Sequence, residues 1–465
     1  MNLEKQHIHN YVWNRKNEYL KQLFVLLRQQ SISAQNIGIH ECAELLKDLM
    51  KDLGITTRLI ETNGHPVVYG ETIKDENSFT LLIYGHYDVQ PPDPLEAWQS
   101  DPFEPTIRDE RIYCRGAGDN KGQLMAQLLG LKTFLDHHDD LPINIKFVFE
   151  GEEEVGSVNL SNFVEENKEL LKADLVYTAD GSSHNSGSPL LLLGARGMLS
   201  FELIAKGADW DNHSGNTGNI LPNPVWKLVD LLQTMRDKNG KVLIKGFYDN
   251  VLQMSEKDKE LLKKLPFDAK DIGEKIGYKS LNMEGEDYYR KLTMEPTFNI
   301  CGIQSGYAGE GTKTIIPSKA TVKIDARLVV DQDPMDVFNK IRQHIHNHDP
   351  EIKVNYLGSM IPSRTQAGLD TVRCVTNAVH KAFGQEPLIQ PSLAGSLPDY
   401  VWTKILKTPS IIMPYANFDQ RNHSPNENIK IENFLNGITC TYHVIHALGE
   451  FSQSSTNNLN KEKSV

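Results

Sequence analysis

INIKFVFEGEEEVGS (143–157) opens as an apolar strand and then sets down Glu150, Glu152, Glu153 and Glu154. Two carboxylates about 4 Å apart repel by roughly 4 kcal/mol at an effective dielectric near 20. Water screens this repulsion in a surface loop. At the end of a core strand it has to be neutralised by a cation or a shared proton. The competing reading is a solvated helix N-terminus, where acidic residues suit the helix dipole. The rest of the chain decides between them.

Outward from this stretch, strands and helices alternate. SFTLLIYG (78–85) reads as a buried strand, DNKGQLMAQLLGLKTFLDHH (119–138) as a helix and SNFVEENKELL (161–171) as another. ADLVYTAD (173–180) reads as a strand. Upstream, NRKNEYLKQLFVLLRQQ and IGIHECAELLKDLMKDLG read as amphipathic helices, the second stopped by Gly54. This rhythm predicts an α/β fold with a mostly parallel sheet covered by helices. The pattern changes near Arg196. Strands GMLSFELIAKG, PTFNICGI, KATVKIDARLVV and IKVNYLG accompany helices PNPVWKLVDLLQTMR and PMDVFNKIRQHIH, with a long polar stretch from Asp237 to Glu295. Paired strands with helices on one side suggest an α+β unit. From about Thr365 the first style returns. The expected organisation is a catalytic domain split into 1–194 and 365–465, with a second domain inserted at 195–364.

The totals are those of a globular chain with ample core: 465 residues, 39% hydrophobic and 24% charged. A net charge of -12 argues against general nucleic-acid binding or an anionic membrane surface. Five scattered cysteines without CxxC spacing fit reduced thiols in a cytoplasmic protein. No signal peptide and no apolar run of membrane-span length is read, and the tail SQSSTNNLNKEKSV is expected to fray.

Several polar residues fall where the sheet strands are expected to end: His86 and Asp88, Asp119, Glu153 and Glu154, Asp180, and His423. Singly, each has a structural reading as a core histidine, an N-cap, a turn residue or a loop residue. Together they mark the carboxyl ends of strands, where open α/β sheets bind ligands. Two histidines and three carboxylates can hold two borderline divalent cations, one carboxylate bridging. Such paired metals clamp a water or hydroxide between them. Residues two apart on an extended segment face the same way, so Asp88 can fix the tautomer of His86. QHIHNH (343–348) also places His344 and His348 at i, i+4, but at a helix end without a carboxylate partner.

The motifs YGHYDVQPP (84–92), RGAGDNKGQ (115–123), EEEVGS (152–157), TAD (178–180), NHSGNTGN (212–219) and NHSPNEN (422–428) closely resemble those of the aminoacylase/carnosine dipeptidase/glutamate carboxypeptidase family of two-metal peptidases. GTKTIIPSKATVKIDARLV (311–329) and AGSLPD (394–399) point to its carnosine-type cytosolic dipeptidase branch. The resemblance spans nearly the whole chain. It implies a phosphorylase/hydrolase-like catalytic domain and an inserted ferredoxin-like lid that forms a homodimer. It implies two divalent metal ions per subunit, zinc foremost, with manganese or cobalt accepted by the same donors. His86 and Asp180 would hold one metal, Glu154 and His423 the other, and Asp119 both. Glu153 would be the general base and Asp88 the partner of His86. Glu152 has no family role and is expected to face solvent or cap a helix. The bond Asp119–Asn120 would be cis. His213 would reach into the partner's site to stabilise the oxyanion. Thr314, Arg327, Gly395 and Ser396 would bind substrate, Arg327 holding its free carboxylate. Asn219 and Ala394 stand where the family commonly has glycine, a departure that touches specificity.

The activity implied is hydrolysis of the amide bond of dipeptides or short peptides with a free carboxylate, by a metal-bridged hydroxide with Glu153 as base. The same site would serve an N-acyl-amino-acid deacylase. A binding protein on this scaffold is a third reading, against which the intact ligand set and base argue.

Overall fold

The computed structural model describes residues 3–462, with side chains from residue 6 to residue 454. Its main sheet has eight strands. In spatial order they are Thr56–Ile60, Val67–Thr72, Asn144–Glu150, Thr80–His86, Leu175–Thr178, Ser410–Ile412, Leu190–Leu192 and Leu388–Gln390. The central four, from Asn144–Glu150 to Ser410–Ile412, run parallel. The antiparallel pairings lie toward the edges: Thr56–Ile60 with Val67–Thr72, that strand with Asn144–Glu150, and Ser410–Ile412 with Leu190–Leu192. The fold is therefore α/β with a mixed, mostly parallel sheet, as the strand–helix alternation predicts.

Strand Thr80–His86 is buried along its whole length, because helices cover both faces of the sheet. The nearly all-buried helix Lys121–Leu135 lies between the sheet and the C-terminal helix Ile431–Glu462. A Cβ at Gly130 would come within 2.4 Å of Thr441 Cβ, so the glycine permits the close crossing of these two helices. The second sheet has four antiparallel strands in the order Asn299–Ser305, Lys319–Leu328, Gly197–Lys206, Lys353–Met360. Burial alternates along its two central strands, which places one face against helices Pro224–Met235 and Pro334–His348 around a separate core. Thr365 N donates to Leu193 O at 2.6 Å and Ser363 N to Ala195 O at 3.0 Å. The chain thus leaves the main sheet and returns to it side by side.

Three elements differ from the sequence reading. Helix Leu3–Asn14 precedes the expected Lys16–Arg28 and Ile39–Asp52. Its apolar residues are sparse, and Ile8 and Val12, four apart, supply its buried contacts. The helix expected over 161–171 is broken at Asn167 into Leu160–Glu166 and Lys168–Leu171. The C-terminal helix continues through most of the tail expected to fray, to Glu462.

Candidate metal centre

The four parallel strands aim their carboxyl ends at one spot. His86 is the last residue of Thr80–His86. Glu153 and Glu154 follow Asn144–Glu150, and Asp180 follows Leu175–Thr178. His423 lies on the loop after Ser410–Ile412, and Asp119 stands two residues before helix Lys121–Leu135. A cavity of about 580 Å³ opens here, with Asp119, Glu153, Asp180, Asn422, His423 and Ser396 among its walls.

Two donor trios meet in this cavity. His86, Asp119 and Asp180 form one; Asp119, Glu154 and His423 form the other. Within each trio the donor atoms lie within 4.8 Å of one another. His86 Nε2 is 3.2 Å from Asp119 Oδ1 and 3.8 Å from Asp180 Oδ2. His423 Nε2 is 3.1 Å from Asp119 Oδ2 and 3.0 Å from Glu154 Oε2. Asp119 thus turns one oxygen to each trio. His86 is wholly buried. Its Nδ1 lies 3.1 Å from the carbonyl oxygen and 3.2 Å from Oδ1 of Asp88. Both neighbours are acceptors, so Nδ1 carries the proton and Nε2 presents its lone pair to the cavity. Nε2 is off line for a hydrogen bond despite its short distance to Asp119, and Glu154 Oε1 is likewise buried without a partner. Each trio thus holds one buried, unpartnered donor atom, which fits a cation placed within it.

The electrostatics point the same way. Burial raises the Asp180 carboxyl to about 6, with the charge of Asp119 adding to it. Burial also pushes Glu153 well above the usual carboxylate range, aided by Asp180, Glu154 and Asp119 against the pull of His86. Hydrogen bonds to Asp119 and Glu154 lift His423 to about 10. Burial alone would lower His86, but Asp119 and Asp88 outweigh it and hold it well above its usual range. The carboxylates around both histidines thus favour a cation, proton or metal, at the ring nitrogens that face the cavity. Protons and metal cations compete for such atoms.

The structure also shows what holds the donors. Asp88 accepts from Glu153 N at 3.2 Å and Glu154 N at 3.0 Å, so it fixes the glutamate turn as well as His86. Gln90 Nε2 donates to Glu154 Oε2 at 3.0 Å, and Asn422 Nδ2 donates to Asp119 Oδ2 at 3.3 Å. Glu427 Oε1 accepts from both Gly118 N and Asp119 N at 2.9 Å. Its other oxygen accepts from Arg115 Nη1 at 2.6 Å, and both side chains are buried. A Cβ at Gly118 would meet Gln420 Oε1 at 2.0 Å, so a larger residue here would have to displace that buried side chain. Arg115 and Glu427 stand inside RGAGDNKGQ and NHSPNEN, but sequence reasoning assigned them no role. Their pairing spans 312 positions, and no local spacing announces it. The bond Asp119–Asn120 is cis, as the resemblance implied.

Glu152 departs from expectation. It does not face solvent; it is the N-cap residue of the turn Glu153–Val155, without a side-chain capping bond there, and its carboxylate accepts from Asn159 N at 3.3 Å at the start of helix Leu160–Glu166. It is buried, and its carboxylate accepts from His65 N at 3.2 Å and from Asn159 Nδ2 at 2.9 and 3.0 Å. The cause is the 62–66 loop folding over it, a tertiary contact invisible in the glutamate run.

The remaining site candidates fall into two groups. Arg327 Nη1 donates to Ser396 Oγ at 2.8 Å, joining the second sheet to the loop that lines the cavity, and Gly395 O accepts from Arg196 N. His213 and Thr314 sit together, Nε2 to Oγ1 3.5 Å, on an exposed two-stranded ribbon, and neither lines the cavity of this chain. His344 and His348 form no carboxylate trio among the described residues, and His344 Nε2 meets Thr234 Oγ1 at 2.8 Å.

The sequence profile of "Peptidase family M20/M25/M40" matches residues 82–447. The chain belongs to this peptidase family. Human "Beta-Ala-His dipeptidase" is 31% identical over 384 residues, 80% of this chain and 75% of that protein. The "Cys-Gly metallodipeptidase dug1" of Schizosaccharomyces pombe is 28% identical over 481 residues, 97% of this chain and 99% of that one. Among solved structures, the M20 family metallo-carboxypeptidase Sso-CP2 from Sulfolobus solfataricus superposes with a TM-score of 0.85. It is 38% identical, over 93% of this chain and 99% of that one. The dipeptidases among these M20 relatives agree with the branch that the 311–329 and 394–399 motifs pointed to.

Proposed function

We propose that this M20 peptidase is a two-metal dipeptidase of the carnosine type, hydrolysing the amide bond of dipeptides or short peptides with a free carboxylate. The observation that carries the reading is the pair of donor trios sharing Asp119 at the carboxyl ends of the parallel strands. His86 and Asp180 would hold one divalent ion, Glu154 and His423 the other, and Asp119 both. Two imidazoles and three carboxylates suit zinc, and accept manganese or cobalt. Bound there, the metals would lower the pKa of a water from 15.7 towards about 7 and polarise the substrate carbonyl.

The chain's own groups supply the rest. Glu153 lines the cavity and belongs to neither trio, which leaves its carboxylate to take a proton from the attacking water. It returns that proton to the amide nitrogen as the C–N bond breaks. Asp88 holds His86 and the Glu153–Glu154 turn in register. Ser396 and Gly395, with Arg327 behind them, receive the substrate carboxylate, a task that suits a planar guanidinium.

His213 and Thr314 reach the reacting carbonyl from a second copy of the chain, His213 donating to the developing oxyanion. Their exposure away from the cavity supports this arrangement. So does edge strand Asn299–Ser305 of the second sheet, which leaves Ile300 48% and Ile303 64% exposed. Bare, apolar strand edges favour pairing with another copy. The second sheet and its helices would thus act as lid and dimerisation domain, inserted at 195–364 between catalytic segments 1–194 and 365–465. None of the described helices is long and apolar enough to cross a membrane. The cysteines are unpaired, three of them buried, which supports a cytoplasmic enzyme.

The test is amino-acid release from dipeptides, tripeptides and N-acyl amino acids by metal-loaded enzyme, with a chelator control. Chelator-sensitive cleavage of dipeptides above the other classes is expected. Preference for N-acyl amino acids would make the protein a deacylase. Preference for tripeptides would make it a tripeptidase with the same site.

A further inference from the structure

The polar stretch Asp237–Glu295, which carried no function in the sequence, folds into short helices that include Glu256–Lys263, Ala269–Lys275 and Gly285–Thr293. These do not stay with the lid core. Leu262, Leu265 and Tyr289 form a small cluster of their own, against which Leu388 packs. Leu388 begins the edge strand Leu388–Gln390 of the main sheet and also packs against Leu190, Leu192 and Ile412. The two apolar clusters are therefore continuous. The segment is tied down by polar contacts as well. Asp258 accepts from Arg364 Nη2 at 2.5 Å where the chain re-enters the main sheet. His184 Nε2 meets Tyr289 Oη at 3.3 Å, on the loop that follows Asp180.

The consequence is a cavity with two kinds of lining. Asp119, Glu153, Asp180 and His423 bring the polar groups of the candidate metal centre. Leu192, Leu393 and Leu397 from the main-sheet side and Ile276, Tyr288 and Leu292 from the 237–295 segment bring apolar ones. Tyr288 and Leu292 are four apart and so share one helix face. Ile276 stands 58% exposed at the wall. Lys275 on this wall pairs with Asp271 at 2.7 Å, both about half exposed, and its stem adds apolar surface. Ser396, beside Leu397, shares the wall with these side chains.

We infer that the 237–295 segment, facing Leu192, Leu393 and Leu397, forms a specificity wall that selects dipeptides bearing a large aliphatic or aromatic side chain. The inference rests on the peptidase reading of the same cavity. Burying such a side chain removes apolar surface from water on both partners, and small or charged side chains leave the wall wet.

The experiment compares kcat/KM of the metal-loaded enzyme for Leu-Leu, Leu-Gly, Gly-Leu, Gly-Gly and Lys-Gly, in the native chain and in Ile276→Glu and Leu292→Ala. Ile276 is exposed, so its substitution leaves the fold's buried contacts in place. Native enzyme is expected to prefer a leucine-containing dipeptide over Gly-Gly by on the order of 10- to 100-fold, with Lys-Gly no better than Gly-Gly. Ile276→Glu is expected to reduce that ratio by about tenfold. Equal rates for Leu-Leu and Gly-Gly overturn the wall while leaving the peptidase reading intact, as does an unchanged ratio in both variants. If no dipeptide is cleaved, the peptidase reading falls. The wall is then read from calorimetric binding of Leu-Leu against Gly-Gly: tighter Leu-Leu binding supports it, and equal binding overturns it.

Discussion

Replacing Arg115 by methionine tests the support beneath Asp119. Arg115 and Glu427 are 1% and 0% exposed, and the pair is joined at 2.6 Å. Arg115 also donates through Nη2 to Pro91 O at 3.1 Å, and its guanidinium lies 5.4 Å from the Trp98 ring centre. Methionine fills much of the volume but leaves Glu427 buried with no cation. Losing one member of a buried pair costs about 3–5 kcal/mol, against ~1 kcal/mol or less for an exposed pair. Burial already raises the Glu427 carboxyl to about 7, with Arg115 pulling it down. Without Arg115 it rises further, so the variant's loss is largest at pH 8 and smaller at pH 5.5, where Glu427 takes up a proton. Adding Glu427→Gln removes the orphaned charge while its amide oxygen still accepts from Gly118 N and Asp119 N, so the double variant should recover most of the loss. Urea unfolding at matched metal content, with Arg28→Met (partner Glu104, both about half exposed) as the surface control, reads these differences. A loss at pH 8 no greater than the control's, or one independent of pH, would refute the reasoning.

Three further outcomes follow from the geometry. Glu153→Gln should retain both metals by elemental analysis and lose about 10²–10⁴ in kcat; near-native turnover would remove Glu153 as the base. Glu150, buried between Tyr84 Oη at 2.5 Å and Ser157 Oγ at 2.9 Å, has its carboxyl raised to about 7 by burial and the charge of Asp88. Its folded value lies above its unfolded one, so its contribution to stability is full below about pH 4 and lost as pH rises through 7. Glu150→Gln should therefore be the more stable protein at pH 8, by up to on the order of 3 kcal/mol, and its stability should vary less between pH 5 and 8; an unchanged pH slope contradicts this. His213→Ala should be inactive, and mixing it with Glu153→Gln should restore about a quarter of native activity in a randomised dimer population, one intact site per heterodimer. No recovery in verified heterodimers would place His213 outside the shared site.

The candidate metal centre was legible because its donor residues are placed locally. His86, Asp119, Glu154 and Asp180 each stand within a few residues of a strand end or helix start, and strand ends are readable from apolar runs. The supports were not legible. Asp88 could be paired with His86 by spacing, but its grip on the Glu153 and Glu154 amides depends on how two strands lie side by side. The Arg115–Glu427 pair and the burial of Glu152 under the 62–66 loop are contacts between distant segments. The role of the 237–295 stretch was not legible because its helices are short and its apolar residues few. Ile272, Tyr288, Tyr289 and Leu292 are enough to build a wall once the segment is folded against the catalytic sheet, yet too sparse to read as a core.

Anomalous diffraction from crystals of the zinc-loaded protein tests the central claim most directly. Two peaks per chain, about 3.5–4 Å apart, are predicted, one among His86, Asp119 and Asp180 and the other among Asp119, Glu154 and His423. A single peak, or a pair that does not share Asp119, would contradict the two-metal account.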